Sequence, residues 1–251
     1  MKSIIKRLLV TFTVLIYTVS ISGCASSIKK HPEFKKRHQL IRSVAMIPPE
    51  VAAYKLTFKG DKVPMDELVL MVMELATTSE LKSVFEKKGY DVKELDLSEG
   101  ILQAEPELRA ILFDVKKIFK TALEDIQRRK KKKFTYTLGP DVNVFADRAD
   151  CDILVFVCEE GLKKSTGEIV KDVVKGALIT AAAACIGVIY IPMPKTFATI
   201  IHITIVDAND GAILWYTNNR LNPNVDPESE KQLRGAIRRM LKRFPKVSQS
   251  S

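Results

Sequence analysis

The sequence predicts an α/β fold with a mixed sheet (α+β), in which strand–helix–strand units are followed by a C-terminal β-hairpin and a helix. Three observations support this prediction. A short strand, a long helical repeat and a second strand follow one another between residues 43 and 95. The continuous apolar run Ile153–Val157 is typical of a buried central strand. A turn sequence between two alternating apolar runs near residue 210 predicts a hairpin.

The chain begins with a segment typical of a bacterial export signal. Three basic residues precede the uncharged run Leu8–Ser20, which is shorter than the roughly 20 apolar residues of a membrane-spanning helix. The following Ile21-Ser22-Gly23-Cys24 resembles the lipobox of bacterial lipoproteins. This resemblance implies that residues 1–23 are a lipoprotein signal peptide and that Cys24 is the lipid-attachment site. An ordinary secretory peptide with an incidental cysteine is the alternative.

The resemblance to lipoproteins also implies a location. Ala25 follows Cys24 at the position where well-studied lipoproteins that stay in the inner membrane typically carry Asp. We therefore expect an outer-membrane lipoprotein that faces the periplasm. Two acyl chains already give stable anchoring to a bilayer.

The charge of the protein is moderately basic, with 40 Lys and Arg against 30 Asp and Glu. Removal of the signal region would still leave an excess of cations. Next to a membrane, such basicity suits anionic headgroups or peptidoglycan, and we expect no nucleic-acid partner. Hydrophobic residues make up 46% of the chain, which is ordinary for a globular domain with a single core.

The remaining cysteines predict neither a disulfide scaffold nor a metal site. Cys151 and Cys158 flank an extended run that would separate them by about 23 Å, which is beyond disulfide reach. Cys185 could pair with only one of them. We expect three small buried side chains, no metal and no cofactor.

The sequence predicts three regions after the signal peptide. Residues 24–42 are expected to form a lipidated basic tether, residues 43–245 an α/β domain, and residues 246–251 a disordered tail. The charges of the tether either contact lipid phosphates or keep a solvated linker extended. His31 and His38 have no clustered partners here, so a metal site is not expected. The cations of the tether are Lys29, Lys30, Lys35, Lys36, Arg37 and Arg42.

The first strand–helix–strand unit is expected to begin with the strand Ser43–Pro48. Pro64 fits the first position of a helix that has a polar interruption at Thr77–Glu80. Gly89 is a typical C-terminal cap, and the strand Tyr90–Leu95 follows it. The apolar stripe of the helix comprises Leu68, Met71, Val72, Leu75, Leu81, Val84 and Phe85.

A second helix is expected to start near Pro106, and it runs into the six cations Arg128–Lys133. This basic run is either a solvated helix end or a contact for an anionic surface or partner. The apolar stripe of the helix comprises Leu108, Ile111, Leu112, Val115, Phe119, Ala122, Leu123 and Ile126.

After the strand Ile153–Val157 comes an uncharged insertion, Gly176–Pro194. Its length is close to the membrane-spanning threshold, but its Ala, Gly and Thr content makes it only modestly apolar. We considered a helix packed in the domain or at an oligomer contact, and a membrane-inserted element.

The C-terminal part predicts a hairpin and a helix. The runs Thr199–Val206 and Ala212–Thr217 flank the turn sequence Asp207–Gly211. His202 is expected to be structural, and Trp215 to be a core side chain. Asp226 and Pro227 fit the start of a helix whose apolar positions are Leu233, Ile237, Met240, Leu241 and Phe244.

The hairpin sequence Ile205–Trp215 resembles that of a broad set of exported bacterial lipoproteins. These include the curli secretion channel subunit and lipoprotein activators of peptidoglycan synthases. The resemblance implies a domain like the amino-terminal domain of the TolB protein. The uncharged segment Gly176–Pro194 departs from that pattern.

These observations favour a non-catalytic envelope lipoprotein that docks or assembles a partner, which would be an envelope protein or peptidoglycan. The alternative is a subunit of an oligomeric outer-membrane secretion or transport structure, and thus a homo-oligomer. Asp150, Asp152, Glu159 and Glu160 offer carboxylates near a strand end, where α/β active sites often lie. No motif for nucleophilic, phosphate or zinc chemistry accompanies them, so we do not expect an enzyme.

Overall fold

The computed structural model describes residues 28–57, 61–128, 134–164 and 196–247. These residues form a mixed sheet of eight strands with helices on both faces, which confirms the predicted fold class. The strands are β1 (Lys29–Lys30), β2 (Ser43–Met46), β3 (Glu50–Leu56), β4 (Lys62–Pro64), β5 (Asp91–Val92), β6 (Ile153–Lys164), β7 (Phe197–Asp207) and β8 (Ile213–Asn218). The helices are α1 (Phe34–His38), α2 (Glu67–Lys87), α3 (Glu99–Ala104), α4 (Pro106–Arg128), α5 (Asn143–Ala149) and α6 (Glu230–Leu241), with a 3₁₀ turn at Pro140–Val142.

Strand β6 is the centre of the sheet. It pairs antiparallel with β7 over its whole length, from Ile153 opposite Asp207 to Lys163 opposite Phe197. Its other edge pairs in parallel first with β2 and then with β3. Pro48 and Pro49 separate these two partners, because proline has no N–H to donate to the ladder.

The hairpin β7–β8 forms where the sequence predicts it, and β8 continues to the edge strand β1. Gly211 closes the turn with a φ of 69°, a conformation that favours glycine. A Cβ at this position would lie 2.1 Å from the carbonyl oxygen of Gly139, so the close approach of two loops also requires glycine.

Two hydrophobic layers cover the sheet. Helices α1, α2 and α6 pack on one face, where Ile201, Ile203 and Ile205 lie. Helices α3, α4 and α5 pack on the other face, against Leu154 and Phe156. The predicted apolar stripe of α4 is buried at seven of its eight positions, and Ile111 is partly buried.

The expected tether over 24–42 is wrong for residues 28–42, which belong to the folded domain. β1 pairs with β8, and α1 buries Phe34 and His38, followed by buried Ile41. Phe34 packs on Trp215 and Phe244 with ring centroids 5.3 Å and 6.0 Å away, so aromatic burial holds this arm on the core. The expected tail is also wrong for residues 246 and 247, because the Val247 N–H donates to the Lys88 carbonyl at 3.0 Å.

The hairpin β3–β4 was not predicted, and the first residue of α2 was predicted wrongly. Pro64 ends the strand β4 opposite Tyr54, a position on an edge strand where a missing N–H costs little. The helix begins at Glu67 and continues through the polar residues Thr77–Glu80. Gly89 caps it with a φ of 86°, as predicted.

Two further boundaries differ from the predictions. The strand after Gly89 is only Asp91–Val92, shorter than the predicted Tyr90–Leu95. The last helix begins at Glu230 instead of Asp226, because the Asp226 side chain accepts a hydrogen bond from the Glu228 N–H and forms a turn. Pro227 in this turn packs over Gly161, where an added Cβ would lie only 2.8 Å away.

Candidate interaction surface

Two functional predictions lie outside the described residues. These are the lipid-attachment site Cys24 and the uncharged insertion 176–194, and the basic run after Arg128 is likewise outside. Within the described ranges, no helix has both the length and the apolar character needed to cross a bilayer.

The four carboxylates considered for catalysis are not brought together. Asp152 lies at the start of β6 and accepts hydrogen bonds from the N–H groups of Arg42 and Ser43 at 2.7 and 2.9 Å. Glu159 and Glu160 lie seven and eight residues further along the same strand, about 23 Å or more from Asp152. Asp152 therefore joins two strand ends, and it is too far from the glutamates to share a reaction with them.

Glu159 and Glu160 project to opposite faces of the sheet. Glu159 lies under α2 and accepts a hydrogen bond from the Thr77 hydroxyl, and its burial raises its pKa to about 8. Its second carboxylate oxygen has no partner among the described residues. Glu160 lies 3.6 Å from the Lys62 ammonium, and burial raises its pKa too.

His202 is a structural residue, as the sequence predicts. Its Nδ1 lies 2.8 Å from the Tyr216 hydroxyl, which also accepts a hydrogen bond from Asn218. Burial lowers the pKa of His202 to about 3, so the ring is neutral at physiological pH. Trp215 is fully buried, which confirms its prediction as a core side chain.

The described part of the chain contains no group of three His, Cys, Asp or Glu residues arranged to hold a metal ion. Cys151 and Cys158 are not in disulfides. Cys185 lies outside the described residues.

An open cavity of about 240 Å³ lies at the end of the sheet where β7 turns into β8. Arg37 lines it and forms ion pairs with Asp207 at 3.0 Å, Asp210 at 2.7 Å and Glu33 at 3.0 Å. The guanidinium group is therefore neutralised by these carboxylates, and its ion pairs with Asp207 and Asp210 connect α1 to the hairpin.

The surface that packing does not explain is an apolar stripe on α2, formed by Leu68, Met71 and Leu75. Their exposed fractions are 63%, 48% and 61%. The spacing i, i+3 and i+7 places the three side chains on one face of the helix. All three belong to the apolar positions that the sequence predicts for this helix, but the opposite face of α2, with Met73 and Ala76, supplies the core contacts.

The charges that α2 itself carries beside the apolar stripe are all acidic. Asp66, Glu67 and Glu74 are exposed along the first half of α2, and the first cation of the helix is Lys82. Within this stretch Glu80 is the remaining charge, and it is buried in an ion pair with Arg238. This acidic half of α2 contrasts with the net charge of +10 of the whole protein.

The apolar stripe had a signal in the sequence. The segment Leu68–Met73 contains no polar residue, so the helix is apolar all round at this point. Such a helix is either enclosed by its own fold or contacts something else, and only the packing distinguishes these two cases.

Comparisons with known proteins leave the family of this chain open. No protein-family description matches it, and no curated protein does either. The structure of a DUF4136 family protein from Bacteroides thetaiotaomicron is similar over 87% of this chain and 94% of that chain, with 5% identity and a TM-score of 0.31. A TM-score of this size establishes neither a shared fold nor a shared function. The resemblance to the TolB and curli-secretion lipoproteins has no support here and stays a prediction.

Proposed function

We propose that this chain is a non-catalytic lipoprotein of the bacterial envelope that docks a partner protein through the apolar stripe of α2. Lipid at Cys24 would hold it on the periplasmic side of the outer membrane, with a domain of the TolB amino-terminal type. The observation that carries the docking role is the exposure of Leu68, Met71 and Leu75. Isolated exposed apolar residues are common, but three on one helix face form a contact surface.

The chemistry of the partner follows from the border of the stripe. Asp66, Glu67 and Glu74 leave a negative charge beside apolar side chains, with no cation on α2 before Lys82. The complementary surface is an apolar segment flanked by Lys or Arg, as on an amphipathic helix. Like-charge contact would disfavour an acidic partner.

Photo-crosslinking in the native bacterium tests this role. A benzoylphenylalanine at Met71 should give one defined adduct with another protein, and the crosslinked peptide should be apolar with basic neighbours. The matched control is the same probe at Phe113, which is 69% exposed on α4 across the sheet. The adduct should disappear when Leu68 and Leu75 are both changed to Ser.

Three results would overturn the docking proposal. Equal crosslinking from Phe113 would mean that the stripe is not selective, and an acidic crosslinked segment would contradict the charge argument. An adduct of two copies of this chain would instead support the alternative function, a subunit of an oligomeric secretion or transport structure.

The anchor is tested separately. A Cys24→Ala variant, exported by a cleavable signal peptide, should lose incorporation of labelled palmitate and leave the membrane fraction as a monomer. If it stays in the membrane fraction after a salt wash, or forms a ring-sized oligomer, lipid at Cys24 is not the only attachment and the secretion-subunit function gains.

A further inference from the structure

The strand β1 lies at the corner of the domain where the edge of the sheet meets the end of α4. Lys29 and Lys30 pair with Tyr216 and Trp215 at the edge of the sheet. The Lys29 ammonium donates a hydrogen bond to the carbonyl of Ile126, in the last turn of α4. The end of α4 and the first strand of the chain therefore meet at the same corner.

This corner is close in sequence to the proposed anchor. Lys29 lies five positions after Cys24, and even a fully extended chain spans at most about 3.5 Å per residue, or roughly 17 Å. If the chain were a free tether as far as residue 42, the distance between the anchor and the domain could reach roughly 60 Å. If Cys24 carries lipid, as in the proposed function on which this inference rests, the corner faces the membrane at short range.

The cations of this corner have few negative partners. Arg220 donates from Nη1 to Gln127 Oε1 at 2.5 Å, whereas its buried Nε has no acceptor among the described residues. Gln127 Nε2 is also buried without an acceptor there. Burial lowers the pKa of both Lys29 and Arg220, so their charges pay a desolvation cost that no described carboxylate offsets.

Several cations elsewhere in the protein are paired with carboxylates. Arg37 contacts three carboxylates, and Lys163 contacts Asp226 and Glu228. At the corner, Lys30 lies over the Trp215 ring at 4.5 Å, and Arg128 contacts Glu124 at 3.2 Å while 64% of its side chain stays exposed. Arg128 is also the first cation of the run that continues to Lys133 in the sequence.

We propose that the corner formed by Lys29, Lys30, Arg128 and Arg220 binds the phosphates of anionic phospholipids and so orients the domain on the membrane. Guanidinium groups bind phosphate oxygens through paired, charge-assisted hydrogen bonds. Each cation held near an anionic bilayer strengthens binding by about fivefold.

The experiment uses the Cys24→Ala protein, so that binding does not depend on acylation. Its sedimentation with vesicles of phosphatidylglycerol and phosphatidylcholine is compared with its sedimentation with phosphatidylcholine alone. The protein should bind the anionic vesicles and release as salt rises. The Arg128→Gln variant should weaken binding about fivefold, and adding Arg220→Gln should weaken it by more than about tenfold.

The chain offers a matched control in Arg109→Gln. Arg109 lies on the same helix about 29 Å from Arg128, has 61% of its side chain exposed and also contacts a single glutamate, Glu99. This variant should bind like the parent. Arg128→Gln alters only an exposed side chain, so it keeps the test valid even if Arg220→Gln fails to fold.

Equal binding to neutral vesicles, or equal loss for Arg109→Gln and Arg128→Gln, would overturn the proposal. Inorganic phosphate added at constant ionic strength should not displace the protein; displacement would assign the corner to free phosphate and also overturn it. Failure of palmitate labelling at Cys24 with intact vesicle binding would refute the lipid anchor and leave the corner standing. Normal labelling without vesicle binding would refute the corner alone.

Discussion

The two long helices on opposite faces of the sheet use their apolar residues differently. Helix α4 buries a side chain in every turn from Leu108 to Ile126, and its outer face is mostly charged. Helix α2 has no fully buried side chain before Met73, although its first two turns are almost entirely apolar. Folding accounts for the sequence of α4 apart from the exposed Phe113 and Ile118, whereas it accounts for only one face of α2. The difference supports the proposal that the outer face of α2 contacts a partner.

The largest expected effect is on stability, and it is tested by changing one methionine on each face of α2. Met73 is fully buried and Met71 is 48% exposed, two positions earlier. We expect Met73→Ala to lower the free energy of unfolding by about 2–5 kcal/mol, because it leaves a cavity in the core. Met71→Ala should change it by less than about 0.5 kcal/mol. Urea unfolding followed by circular dichroism measures both.

A large loss of stability in Met71→Ala would contradict this comparison, because it would show that the stripe supports the fold. The first half of α2 would then need no partner. Loss of the crosslink from position 71 in a Leu68→Ser, Leu75→Ser variant of unchanged stability would instead show that the stripe serves a contact and not the fold.

The polar groups beneath the two helices also differ. Beneath α2, Glu159 has one oxygen bonded to Thr77 and one oxygen without a described partner. On the α4 face, His202 is bonded through Nδ1 to Tyr216 and is neutral. Burial disfavours the charged form of each group, so the two respond to pH in opposite directions.

We expect Glu159→Gln to stabilise the protein at high pH. The folded pKa of about 8 lies above the ordinary value of 4.5, so the native state holds a proton that the unfolded state releases. Stability from this group is fully present below about pH 4.5 and is lost as pH rises to about 8. The variant should gain up to about 4 kcal/mol over the parent above pH 8, and little near pH 4.5.

Denaturant unfolding of both proteins at several pH values checks this expectation. His202 contributes the opposite trend, since its lowered pKa removes stability below about pH 6.5, but it is common to both proteins and cancels in their difference. A pH-independent difference between parent and variant would show that Glu159 ionises normally within the fold. The Glu159 carboxyl group beneath α2 would then be ionised at neutral pH in the folded protein.

The sequence predicted the elements whose patterns are local. The apolar run at Ile153, the turn before Gly211 and the α4 stripe all have a period that backbone geometry explains. The arm over 28–42 was missed because Phe34 and Ile41 are scattered among cations, and their partners Trp215 and Phe244 are about 200 residues away. The exposure of Leu68, Met71 and Leu75 on α2 could not be predicted, because periodicity shows that a face is apolar, and not what covers it.

The smallest expected effect is the loss of stability when an ion pair of α2 or of α4 is removed. The two arginines chosen are equally exposed. The side chains of Arg238 and Arg128 are both 64% exposed, but Arg238 holds Glu80 of α2, which is 3% exposed, whereas Arg128 holds Glu124 of α4, which is 37% exposed. Arg238→Gln leaves a buried carboxylate with only Arg234 at 3.8 Å, so it should cost about 1 kcal/mol. Arg128→Gln should cost less than about 0.5 kcal/mol, because water replaces the arginine. Equal costs in thermal unfolding would mean that burial of the acidic partner does not set the strength of these pairs.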